Sequence, residues 1–267
     1  MTRNKLRQWE KSDICFRADD VYHERLYAIQ WVKELPEGDS SRAPTEFRSV
    51  TEADLAREAQ VVRYVQENLE YWQEEGWIPD TWIEHGEETA RLHRERGWTH
   101  WHHLFNPRQL LNHGLVSQNK GAYEALGFAN ALNWNSKMSR WEPSRTGEVK
   151  DTFYNQSINP LFAYGCRGFI YQMNMLKPVD RHLEAHNPKL TLNCSSASEL
   201  AQAADIFITD PPYGDAVKYE EILEFFIAWF RKNPPPEFAN WTWDSRRELA
   251  VKGEDHDFRL SMVAAYK

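Results

Sequence analysis

Only three cysteines occur in 267 residues, Cys15, Cys166 and Cys194, and they form no Cys-x-x-Cys pair. This spacing excludes a zinc ribbon and a disulfide framework and leaves reduced, structural thiols. No apolar run approaches the roughly 20 residues that span a bilayer. The polar start Met1-Thr2-Arg3-Asn4 is not a signal peptide, so a cytoplasmic protein with no membrane partner is expected. Glycine is sparse, and nowhere does it build the G-x-G-x-x-G turn of a nucleotide-binding sheet, with its acid for a ribose on the next strand. Gly165-Cys166-Arg167-Gly168 comes nearest and lacks the pattern. Basic charge is short as well: 40 acidic against 32 basic side chains leave a formal charge of -8. That balance opposes a protein that coats DNA, and permits one that binds it through a single basic face.

The strongest positive feature is Ile206-Phe207-Ile208-Thr209-Asp210-Pro211-Pro212-Tyr213, followed by Gly214-Asp215-Ala216 and a long apolar helix. The apolar, β-branched run predicts a buried strand that stops where a ligand crevice opens. At its end Asp210 can accept hydrogen bonds from an exocyclic amine. Pro211 and Pro212 fix φ and lack an N–H, so neither strand nor helix continues and the backbone carbonyls turn outward. Tyr213 offers a flat ring for stacking. These parts suit an amino group on an aromatic ring, and the competing reading is a strand-to-helix turn stiffened by two prolines.

Asp210-Pro211-Pro212-Tyr213 resembles the catalytic motif of S-adenosylmethionine-dependent amino methyltransferases, which act on adenine N6 or cytosine N4 of DNA. The resemblance extends to Tyr219 through Trp229, to Trp243 through Ala250, and upstream to Arg96 through Phe105 and Arg108 through Leu111. It points to the large adenine-specific methylases found with prokaryotic anti-phage and restriction-modification systems. It implies that Asp210 and a proline carbonyl hold the amine of a flipped base and that the aromatic residue stacks on it. Asp215 and Tyr219, together with Asn155 and Gln156, then belong to substrate binding. Asn and Gln pair bidentately with adenine, although capping competes for this stretch. Cytosine C5 chemistry is disfavoured, because Cys194 stands in Asn193-Cys194-Ser195-Ser196 without a Pro-Cys turn.

The resemblance also implies that the cofactor's glycine motif precedes this chain and that further strands follow it. The chain is therefore expected to be the central portion of a larger methylase, with DNA and the remaining segments or subunits as partners. S-Adenosylmethionine is the expected cofactor, held by residues not identifiable here. A non-catalytic nucleic-acid-binding or assembly module is the alternative, and RNA or protein amide methylation an enzymatic variant.

Along the chain, Asp19 to Trp31 mixes helical and strand spacing, and Leu35 to Arg48 has the composition of a loop. Thr51-Glu52-Ala53-Asp54 forms a capping box, and Leu55, Ala59, Val62, Val65 and Leu69 predict a helix to about Gln73. Asn106-Pro107 starts another, with Pro107 at its first position, interrupted at Gly114 and resumed through Leu132. Trp134 to Glu148 is polar and basic, which suits a surface loop or a nucleic-acid contact. Ser245-Arg246-Arg247-Glu248 offers a further capping box, and Phe258 begins a last helix.

Trp98-Thr99-His100-Trp101-His102-His103 admits three readings. A metal site is disfavoured, since the spacing matches no ligand pattern. Phosphate contacts from Arg94, Arg96 and Arg108 with stacking by Trp98 are the second. An aromatic core segment with hydrogen-bonded histidines is the third, and it is favoured. The order of elements predicts a parallel α/β sheet, and the resemblance implies its setting: an α/β fold with a mainly helical insertion or recognition region over 1–150, then a partial Rossmann-like methyltransferase sheet over 151–267.

Overall fold

The computed structural model describes residues 6–33, 36, 44–142, 148–154, 157–158, 168, 191–196, 199, 203–210, 217–245, 247 and 255–265. Its architecture is mixed α/β, with helices around an aromatic core and small antiparallel sheets at the side.

Helix α1 spans Glu52–Glu74 and starts where the capping box predicts. Thr51 Oγ1 accepts from the Asp54 amide at 3.2 Å, and Asp54 Oδ2 accepts from the Thr51 amide at 3.0 Å, so two orphan donors are met locally. Val65, Leu69 and Trp72 turn into the core. Helix α2 covers Ala90–Arg96 and ends on Gly97, whose φ of 73° is left-handed. A Cβ there would collide with the Arg7 carbonyl oxygen, and the Gly97 carbonyl accepts from the Trp9 amide at 2.7 Å. Both backbone strain and contact therefore oppose a side chain. Gly97→Ala is expected to lower stability by about 2 kcal/mol or more. Thermal unfolding would show this as a drop of at least about 4 °C.

After a 3-10 turn at Trp101–Leu104, helix α3 runs Pro107–Ser117 with Asn106 as its cap. Asn106 and Gln109 form a reciprocal capping box, with both bonds at 2.9 Å. The interruption expected at Gly114 does not occur. A Cβ at Gly114 would lie at ordinary contact distance, 3.4 to 3.7 Å, from Ile78 and Trp72, so packing does not require the glycine, and its helix cost of about 1 kcal/mol is too small to break α3. Helix α4 spans Ala122–Trp134.

The segment after α4 corrects the surface-loop expectation. Asn135, Ser136, Lys137, Met138 and Ser139 are all buried. Some of their polar groups are met within the segment, as the Ser136 amide is by Ser139 Oγ at 2.9 Å, and others from afar: Asn135 O by His113 Nε2 at 2.9 Å, and the Ser136 hydroxyl by Thr152 Oγ1 at 2.7 Å. Burial follows satisfaction, and polarity alone does not mark a solvated loop. The chain then pairs as strands β3 (Arg140–Glu142) with β4 (Glu148–Lys150), and β5 (Phe153–Tyr154) with β6 (Ser157–Ile158). Near the N-terminus β1 (Ala28–Val32) pairs with β2 (Thr45–Ser49), so part of the expected loop is a strand.

Helix α5 spans Tyr219–Phe230. Its apolar surface packs on the aromatic core and on Phe153 of β5, whose ring lies 5.2 Å from that of Phe225 and 5.7 Å from that of Phe226. Phe225 stacks on Phe105 with centroids 5.5 Å apart, while Trp229 meets Phe105, His113 and Phe128 edge-on at 5.1 to 5.6 Å. A short 3-10 turn at Pro236–Phe238 follows, and helix α6 covers Asp255–Ala265. Strand pairing among the described residues is antiparallel throughout, in three two-stranded sheets. Residues 203–210 form no strand there, and Ile208 is 95% exposed. An apolar extended run is stabilised by a ladder, and no described strand lies beside this one.

Candidate functional site

Asp210 closes the exposed segment 203–210. Pro211, Pro212, Tyr213 and Asp215 lie outside the described residues, as do Asn155 and Gln156. The chain is described again at Val217, which is buried, and Lys218, whose Nζ pairs with Glu87 at 3.2 Å. Tyr219, half-buried, opens α5. An exposed carboxylate before the motif and a core helix after it therefore bracket it.

The start of α5 is fastened by two carboxylates that sequence reasoning missed. Glu221 is 4% exposed. Its Oε1 accepts from the Glu87 amide at 2.9 Å; its Oε2 accepts from the Glu88 and Thr89 amides at 3.0 Å and from Thr89 Oγ1 at 3.1 Å. Gly86 must lack a side chain, since a Cβ would overlap this carboxylate. One turn on, Glu224 accepts from Ser245 Oγ at 2.7 Å and from Arg247 Nε at 2.6 Å, and Arg247 also pairs with Glu84 at 3.1 Å. Glu221 and Glu224, at i and i+3 in the largely apolar run Tyr219 to Phe230, were the available signal, because a buried carboxylate requires partners.

The four expected nucleic-acid residues are not brought to one surface. Arg94 is exposed on α2 and donates to Glu95 at 3.0 Å, while the Arg96 guanidinium lies 5.9 Å above the Tyr22 ring. Arg108 sits on α3, where its Nε donates to Glu58 at 2.7 Å. Trp98 is fully buried, so its ring offers no stacking face to a base. It forms an aromatic cage with Trp9 and Phe16 around the Lys137 ammonium, at 5.1, 4.7 and 5.4 Å from the ring centroids. Burial lowers the Lys137 pKa, and Glu24 at 3.4 Å opposes that shift. Such a cage replaces part of the lost hydration by cation–π attraction.

The histidine segment belongs to the core. His103 Nδ1 accepts from the Thr99 and His100 amides at 3.1 and 3.2 Å, which leaves Nε2–H to donate to the Glu10 carbonyl at 3.0 Å. No group of three or more His, Cys, Asp or Glu side chains able to hold a metal occurs among the described residues. Cys15 is half-buried and burial raises its thiol pKa; Cys194 is exposed, and Cys166 lies outside the described residues.

No family model matches this chain, and neither a curated protein nor a solved structure matches it. No described helix is long and apolar enough to cross a membrane.

Proposed function

We propose that this chain carries the substrate-binding half of an amino methyltransferase acting on an exocyclic amine of a flipped DNA base, adenine N6 foremost. The observation that carries the reading is the Asp-Pro-Pro-Tyr sequence between an exposed Asp210 and the anchored helix α5. In this reading the Asp210 carboxylate and the Pro211 carbonyl accept the two amine hydrogens, which aims the nitrogen lone pair away from the ring plane. Tyr213 stacks on the base, and Asp215, Tyr219, Asn155 and Gln156 complete the pocket. Orientation supplies most of the catalysis, because an amine attacking a sulfonium-bound methyl group needs positioning more than a strong base.

The residues present do not fit the methyl donor. The sequence has no G-x-G-x-x-G turn, and its nearest candidate, Gly165-Cys166-Arg167-Gly168, lacks the pattern's first glycine, where Ala163 stands. S-Adenosylmethionine is accordingly assigned to other segments of a larger cytoplasmic enzyme, whose Rossmann-like sheet would also supply strand partners for 206–208. A prokaryotic anti-phage or restriction-modification system is the setting that suits this chemistry.

Asp210→Ala, assayed in the complete enzyme by transfer of labelled methyl groups to DNA, is expected to lower the rate at least 100-fold, as loss of a principal polar contact to the reacting group does. Undiminished transfer would remove Asp210 from the site. Calorimetric titration of this chain alone with S-adenosylmethionine is expected to give no binding heat. Micromolar binding would show that the donor site is complete here.

A further inference from the structure

A groove of about 490 Å³ lies between the outward face of α1 and the first half of α3. Val61 and Leu111, both packed on the core, form its floor. Arg57, Arg63 and Arg108 stand around it, with Glu67 as the one carboxylate in its lining. Tyr64 projects into it half-exposed, and its ring is braced edge-on by the buried Trp72, with centroids 5.7 Å apart.

The three guanidiniums differ in state. Arg57 is held by Asp54 at 3.0 Å and Arg108 by Glu58, while Arg63 has no ion pair among the described residues. Pairs this exposed are weak and are readily exchanged for a stronger anion. Planar guanidiniums favour a phosphate, with its several acceptor oxygens, over a second carboxylate. A braced, half-exposed phenol ring over an apolar floor favours a planar aromatic group beside that phosphate. Phosphate and flat ring together describe a nucleotide. The groove is open along its length, whereas sites for free small molecules bury most of the ligand. A segment of polymer suits it better.

We infer that the α1/α3 groove binds single-stranded nucleic acid, with backbone phosphates on Arg57, Arg63 and Arg108 and a base stacked on Tyr64. The chain's net charge of -8 makes this attachment local and salt-sensitive instead of a general attraction to polyanions. Neither Asp210 nor a methyl donor takes part, so this inference and the methyltransferase proposal fail separately.

The test is fluorescence anisotropy of a labelled oligodeoxynucleotide of about 12 residues, titrated with the whole chain without cofactor, starting at roughly 50 mM salt. Three phosphate contacts predict a slope of about -2 for the logarithm of affinity against that of salt. Arg63→Glu is expected to weaken binding about tenfold and to reduce the slope by roughly 0.7. Tyr64→Ala is expected to weaken it at least fivefold. Melting temperatures should hold in the Arg63 variant, whose side chain touches solvent. Absence of wild-type binding, or undiminished affinity in both variants, overturns the inference. Weakening by Arg94→Glu with Arg63→Glu neutral also overturns it, by moving the strand to α2. Adenosine monophosphate at matched nucleotide concentration should fail to displace the oligonucleotide, and displacement would overturn the polymer assignment.

Discussion

Glu221→Ala is expected to lower the unfolding free energy by about 3 to 5 kcal/mol. The carboxylate is 4% exposed and receives three consecutive backbone N–H groups and one hydroxyl. Removing it leaves those donors facing a cavity, and each unsatisfied buried donor costs about 1 to 3 kcal/mol. Partial access of water to the Glu87 and Glu88 amides keeps the total below the simple sum. Glu221→Gln should lose roughly half as much, because its carbonyl oxygen can take the Oε2 position with three donors while its NH₂ then opposes the Glu87 N–H. Urea unfolding followed by tryptophan fluorescence reads both values, and amide exchange at residues 87–89 reads the local opening. Equal stability of wild type and Glu221→Ala would show that these amides are met by water. The consequence reaches the candidate site, since Glu221 fixes the helix that begins six residues after Tyr213.

Local chemistry was legible in the sequence, and long-range satisfaction was not. The capping box at Thr51 involves side chains three residues apart, so four letters suffice to predict it, and Pro107 alone marked the start of α3. Gly114 was misread because one glycine costs a helix only about 1 kcal/mol, which the tertiary packing of α3 outweighs. The polar segment 135–139 looked solvated because some of its hydrogen bonds go to His113, Asn133 and Thr152, which no local pattern announces. Strand β2 escaped notice because Thr45 to Ser49 is exposed on both faces and shows no alternation. At the site, Asp210 to Tyr213 stands out by its two prolines. The anchors of α5 do not, since the partners of Glu221 lie more than 130 residues away in sequence.

Acidification from pH 7 to pH 4 is expected to unfold the chain through its histidines. Burial lowers the pKa of His93; it takes His113 to about 4 and His102 to about 3, and with Lys11 nearby it takes His100 to about 4. Burial and then the charge of its neighbour His102 hold His103 well below the usual range. In the unfolded chain these rings titrate near 6.5, so between about 6.5 and 4 the unfolded state binds more protons and stability falls as pH falls. His113 alone then contributes a loss of about 3 kcal/mol, at about 1.4 kcal/mol per unit. The rings of His102 and His103 lie 4.3 Å apart and repel once charged, so that cluster is protonated in steps and adds less than its members separately. The sum is on the order of 5 kcal/mol, comparable with the whole stability of a typical domain. Carboxylates act lower on the scale. Arg7 holds Asp20 below its ordinary value, and Lys11 and Lys232 do so for Asp80 against the effect of burial, so their contribution is lost only below about pH 4. Urea midpoints at successive pH values should therefore be flat above about 7 and fall steeply between about 6 and 4. His113→Gln, which keeps a polar partner for the Asn135 carbonyl but cannot be protonated in this range, should remove about 3 kcal/mol of that dependence. A midpoint unchanged down to pH 4.5 would mean that these rings reach water in the folded protein.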